Sequence, residues 1–146
     1  MTYLVDTNVI SELRKGERAD TAVTAWMADV DDDAVYLSVL VVGEIRQGVE
    51  RIRRRDVTQA EALDAWLRRI VDDHADRVLP ITSTIAETWG RLNVPDPLPV
   101  VDALLAATAL VHDLTVATRN VGDIARTGVA VVNPFNGGSA VTTPQM

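Results

Sequence analysis

Residues 3–13 read Tyr3-Leu4-Val5-Asp6-Thr7-Asn8-Val9-Ile10-Ser11-Glu12-Leu13. Three apolar residues stop abruptly at an aspartate, and apolar positions then return at helical spacing in Val9, Ile10 and Leu13. The stretch reads as a buried strand that turns straight into a helix. A continuous apolar strand, rather than an alternating one, is what a parallel sheet covered on both faces requires. Lys15-Gly16 then supplies a helix stop.

The same grammar continues downstream. Thr21 to Met27 reads as a short helix, Asp31 to Asp33 as a turn, and Val35 to Val39 as a second strand. A helix over Val41 to Arg55 follows, with basic residues at its end, where cations suit the helix dipole. Thr58-Gln59-Ala60-Glu61 and Thr84-Ile85-Ala86-Glu87 have capping-box spacing, predicting helices to about Ala75 and to Leu92. Val78 to Ile81 is a third strand candidate with Pro80 near its end. Val94 to Pro99 holds three prolines and reads as a loop, and Val101 to His112 is apolar almost all round, as a buried helix is. Thr115 to Thr118 and Val129 to Val132 complete the strands. The expected fold is α/β: a central parallel sheet of five strands flanked by helices, in one domain over residues 1–135. A flexible tail is expected over 136–146.

Composition narrows the function. The chain has 146 residues, no cysteine and a net charge of −7. Without cysteine there is no disulfide, thiolate metal site or cysteine nucleophile, which fits a cytoplasmic setting. No basic-then-apolar leader opens the chain, and no apolar run approaches the roughly 20 residues of a membrane span. The acidic balance argues against nucleic-acid binding by bulk charge. The basic side is thirteen arginines and one lysine, with Arg51, Arg53, Arg54 and Arg55 crowded together.

In open parallel sheets the functional crevice lies at the carboxyl ends of the strands. That rule singles out four acids. Asp6 follows the first strand, Glu44 lies in the helix after the second, Asp102 opens the buried helix, and Asp123 lies in the loop after the fourth strand. Each has an ordinary reading as well: Asp6 as a helix cap, Glu44 as a surface residue, Asp102 as a complement to the helix dipole, Asp123 as a turn cap. Together they would repel unless a cation neutralised them. Oxygen-only ligands point to a hard divalent ion, Mg²⁺ or Mn²⁺.

Four motifs in order carry a resemblance. Leu4 to Leu13, Ser38 to Gly48, Asp102 to Ala109 and Thr118 to Ile124 resemble the acidic motifs of PIN-domain proteins, in particular the VapC-type toxins of toxin–antitoxin modules. The resemblance covers residues 2–135. It implies a homodimeric, Mg²⁺-dependent endoribonuclease, with Mn²⁺ as a substitute, whose metal site is Asp6, Glu44, Asp102 and Asp123. Thr7, Asn8, Ser38, Thr118 and Asn120 match supporting polar positions. The resemblance also implies a cognate antitoxin that wraps the toxin in a hetero-oligomer and places a basic side chain in the acidic pocket. Ile124 stands where an aromatic residue is common. A binding-only role in a repressor complex, without nuclease activity, is the competing implication.

The arginines stay open at this stage. Arg53 and Arg54 fit a solvated helix end or a rim that guides RNA phosphates, and Arg46 is expected to orient the acidic site. Trp26, Trp66 and Trp89 read as core residues, and His74 and His112 are given no chemical role. A receiver domain or a haloacid-dehalogenase-type phosphatase would need a lysine late in the sheet, and Lys15 is the sole lysine.

Overall fold

The computed structural model describes residues 1–136. Its elements run β1 (Tyr3–Val5), α1 (Thr7–Leu13), α2 (Thr21–Ala28), β2 (Val35–Ser38), α3 (Val39–Arg53), α4 (Val57–Asp73), β3 (Val78–Leu79), α5 (Ser83–Leu92), α6 (Val100–His112), β4 (Thr115–Ala117), α7 (Val121–Ala125) and β5 (Val131–Val132). The sheet is five-stranded in the order β3-β2-β1-β4-β5, and every pairing is parallel. The α/β reading therefore holds. The tail expected from residue 136 lies outside the described residues except for Asn136, which ends the turn Pro134–Asn136.

Strand order decides where the site is. The chain runs outward from β1 through β2 to β3, then returns to β1's other side with β4. The seam between β1 and β4 is thus the point where connections leave in opposite directions and a crevice opens. Tyr3, Leu4 and Val5 pair with Thr115, Val116 and Ala117. The ladder runs one residue further, since the Asp6 amide donates to the Ala117 carbonyl at 2.9 Å.

The core explains the apolar runs. Leu4, Val5, Val9, Leu37, Val41, Leu105, Val116 and Val131 are fully buried. Each such side chain contributes roughly 1.5–3 kcal/mol by leaving water. In α6, Ala103, Leu105, Ala106, Ala107, Thr108 and Ala109 are all buried, which accounts for a helix with almost no polar face. Tyr3 and Trp26 meet edge to face at 5.0 Å, anchoring α2. Trp66 and Trp89 are half-buried rather than fully enclosed. No helix of the described residues is long and apolar enough to cross a membrane.

Several boundaries differ from expectation. Ser38 ends β2 and caps α3, its Oγ accepting from the Leu40 amide at 3.1 Å, so Val39 is helical and not in the strand. Both capping boxes are displaced by a better cap two residues upstream. Asp56 accepts from the Gln59 amide and Thr82 from the Ile85 amide, starting α4 at Val57 and α5 at Ser83. An earlier cap wins because each added residue gains a helical hydrogen bond once the helix is nucleated. β3 stops at Leu79, before Pro80, which has no N–H to donate. Asp123 lies in the short helix α7 and not in a loop.

Candidate metal centre

Asp6 does two jobs through its two oxygens. Oδ1 accepts from the Thr7 amide at 2.7 Å, capping α1. Oδ2 accepts from the Thr118 hydroxyl at 2.8 Å, across the β1–β4 seam. The ordinary reading of Asp6 as a cap and its placement in the crevice are thus both true. Thr118 is fully buried, and its hydroxyl also receives the Asn120 amide at 3.0 Å. Asn8 braces the same seam: Nδ2 reaches Thr118 Oγ1 at 3.3 Å and Asp6 Oδ2 at 3.4 Å, while Oδ1 accepts from the Arg119 amide at 3.1 Å.

The other acids gather round this frame. The Thr7 hydroxyl donates to Glu44 Oε1 at 2.6 Å, tying α3 to the start of α1. Asn120 Nδ2 donates to Asp102 Oδ2 at 2.7 Å and lies 3.4 Å from Asp123 Oδ2. Asp6, Thr7, Asn8, Glu44, Val101, Asp102 and Asn120 line one cavity of about 320 Å³. Asp123 is set behind Asn120 and is ion-paired to Arg126 at 3.3 Å. Ser38 acts at a distance, by fixing the start of the helix that carries Glu44.

Electrostatics show what this packing costs. Burial raises the Asp6 carboxyl above its ordinary value; the hydrogen bonds from Thr118 and Thr7 oppose the rise, and the nearby charge of Glu44 adds to it. Burial also raises Asp102, and the charges of Asp6, Asp123 and Glu44 push the same way, against the Asn120 hydrogen bond. Among the described residues, no Lys or Arg forms an ion pair with Asp6, Glu44 or Asp102.

The arginines fall elsewhere. Arg46 binds Asp64 at 2.8 Å and Glu50 at 3.3 Å, so it does not orient the acidic site as expected. Two residues along a helix turn a side chain about 200° away, and Arg46 therefore points from Glu44's face toward α4. Arg53 binds Glu61 at 2.7 Å, Glu50 at 3.3 Å and Asp64 at 3.5 Å. Arg54 is exposed and has no ion pair among the described residues. Sequence reasoning missed Asp64 as the hub of this cluster and Arg126 as the partner of Asp123. The second was findable, since three residues apart is a helical neighbour.

Residues 3–129 match the sequence pattern of the PIN domain. The chain belongs to the PIN-domain family. Toxin FitB of Neisseria gonorrhoeae is 33% identical over 141 residues, covering 91% of this chain and 98% of that protein. The VapC ribonuclease Y4jK of Sinorhizobium fredii is 34% identical over 141 residues, covering 90% and 96%. The crystal structure of FitAcB from Neisseria gonorrhoeae superposes on this PIN domain with a TM-score of 0.85 at 33% identity, covering 92% of this chain and 99% of that one.

The donors of this PIN domain suit a hard divalent cation. All are oxygens, three carboxylates face one cavity, and two are held above their ordinary pKa with no basic partner. Among the described residues no three carboxylate or imidazole groups stand close enough together to ligate one ion as they are placed. A hard divalent cation that keeps several waters needs only one or two carboxylates, which Asp6 and a neighbouring acid could supply.

Proposed function

We propose that this chain is a metal-dependent endoribonuclease and the toxin of a toxin–antitoxin pair. The observation that carries the reading is the convergence of Asp6, Glu44 and Asp102 on one cavity without a cationic side chain to balance them. The names of its relatives, Toxin FitB and VapC ribonuclease Y4jK, support the toxin and ribonuclease parts. The proposed substrate is RNA, the proposed setting the cytoplasm, and the proposed ion Mg²⁺ with Mn²⁺ as substitute. The proposed assembly is a homodimer that joins a cognate antitoxin.

Asp6, Glu44 and Asp102 would hold the cation, with Asp123 completing the site from behind Asn120. A bound divalent ion supplies acidification of water and neutralisation of charge developing on a phosphate. The protein's own part is positioning. Thr118 and Asn8 lock the Asp6 carboxylate at the seam. Thr7 holds Glu44, and Asn120 holds Asp102 while its position beside Asp123 keeps the two acids in register. Val101 gives the cavity an apolar wall.

The test is direct. The purified full chain is incubated with single-stranded and structured RNAs in Mg²⁺ or Mn²⁺, with a chelated control. Cleavage that needs the ion and is lost in Asp6→Asn supports the reading. Absence of cleavage under every divalent ion overturns it in favour of the binding-only role.

A further inference from the structure

The structure sorts the crowded arginines into two groups. Arg46, Arg53 and Arg68 are ion-paired to Asp64 and its neighbours. Arg51, Arg54 and Arg55 are exposed, and their guanidinium groups make no ion pair or hydrogen bond with the described residues. Within five residues, then, a net-acidic chain presents three uncommitted positive charges.

Their placement has a direction. Glu44, Gly48 and Arg51 stand at i, i+4 and i+7 in α3, so they share one face, and Arg54 and Arg55 follow directly past its last turn. Seven residues of helix span about 10 Å. The stripe, exposed at both ends and half-buried at its centre, therefore begins at an acid of the metal centre and ends at the free arginines. Between them lies Gly48. A side chain added there would meet nothing within 4 Å, so no packing contact of the fold requires glycine at this mid-helix position. Stabilisation of the helix dipole accounts for basic residues at this end, but not for an open notch on the same face.

We propose that this stripe is an RNA track: the strand leaving the acidic cavity passes over Gly48, and its phosphates are received by Arg51 and Arg55, with Arg54 beside them. The inference rests on the ribonuclease reading for its substrate class. It gives that acidic protein a local basic contact for a polyanion and sets the direction in which a bound strand runs.

The experiment compares wild type with Arg51→Glu/Arg55→Glu and with Gly48→Gln, all as full chains. Binding of a fluorescent single-stranded RNA is measured across a salt series, with Ca²⁺ replacing Mg²⁺ to hold cleavage off. The charge-reversed variant is expected to bind at least about tenfold more weakly, with the salt slope reduced by about 1.4, at roughly 0.7 per lost phosphate contact on a single strand. Gly48→Gln is expected to melt no lower than wild type, because glycine is a poor helix former, yet to bind RNA more weakly. In Mg²⁺ both variants should raise KM on long RNA and leave cleavage of a dinucleotide unchanged. Unchanged affinity and salt slope would overturn the track. So would a changed sedimentation coefficient with unchanged RNA affinity, which would assign the face to a second copy of the chain. Arginine-dependent binding without cleavage in any divalent ion would sink the nuclease reading and leave the track standing.

Discussion

The Thr118 hydroxyl donates to Asp6 Oδ2 at 2.8 Å, joining residues 112 positions apart at the one seam where the sheet's connections diverge. Thr118 is fully buried, and Asp6 is open only toward the acidic cavity. Thr118→Val keeps the shape and removes the donor. It should cost about 1–3 kcal/mol in urea unfolding, the usual penalty for removing one partner of a buried hydrogen bond, with Asn8 Nδ2 left as the donor to Asp6 Oδ2. Cleavage should fall about 10–100-fold, as for other groups that orient metal ligands. Thr118→Ser should restore most of both. A valine variant with full activity would show that the hydrogen bond is only structural.

Asp6 contributes to the pH response of the metal-free protein. Its carboxyl is raised by burial, so the folded state keeps a proton that the unfolded chain has already released. Stability conferred by this group is therefore present at low pH and lost as pH rises from 3.8, the ordinary value, through the raised folded value. At neutral pH the buried charge is a standing cost. Asp6→Asn removes it while keeping a residue type that caps helices equally well. In a chelator the variant should melt higher than wild type at neutral pH, with the difference vanishing in acid. Adding Mg²⁺ should reverse the order, because only wild type gains ligand binding energy. A chelated variant that melts lower at neutral pH would refute the account.

Asn120 offers Asp102 and Asp123 a shared amide, at 2.7 and 3.4 Å. Asn120→Ala should lift the Asp102 carboxyl further, because it removes the hydrogen bond that opposes burial and three neighbouring acids. The acid limb of the pH–rate profile should move to higher pH. Activity at neutral pH should fall about 10–100-fold, with more Mg²⁺ needed for saturation. An unmoved acid limb would count against this role.

Asp64 collects Arg46 at 2.8 Å, Arg68 at 3.3 Å and Arg53 at 3.5 Å, tying α3 to α4. The Arg46 hydrogen bond holds its carboxyl below the ordinary value. Asp64→Asn should lower the melting temperature, with the loss shrinking as pH falls from 3.8, the ordinary value, through the lowered folded value. Turnover per folded molecule should stay near wild type, because none of these groups lines the acidic cavity. A collapse of turnover at unchanged stability would instead connect the hub to the chemistry.

Asp6 and Asp102 were legible because they sit at a strand end and a helix start, where local pattern and the crevice rule agree. Asp6 follows an apolar triplet, and Asp102 opens a helix whose other residues are nearly all buried. Helix starts were less legible. Thr58 and Thr84 had the right spacing, yet Asp56 and Thr82 capped first, and spacing alone does not rank two competing caps. The arginines were least legible. Whether Arg46 turns to Glu44 or to Asp64 depends on how α3 docks on α4, a tertiary relationship that appears in neither segment alone.

The order of strands also governs when the acidic centre is completed. β1 is made long before its neighbour β4, and Asp6 receives its buried partner only when Thr118 arrives. A nascent chain still lacking residues 115–118 holds the first acid without the seam that positions it. Because so distant a pairing is also slow to close in folding, the complete centre forms only after residues 115–118 have been made. A nuclease of the proposed kind would be restrained, by the path of its own chain, from acting before those residues are translated.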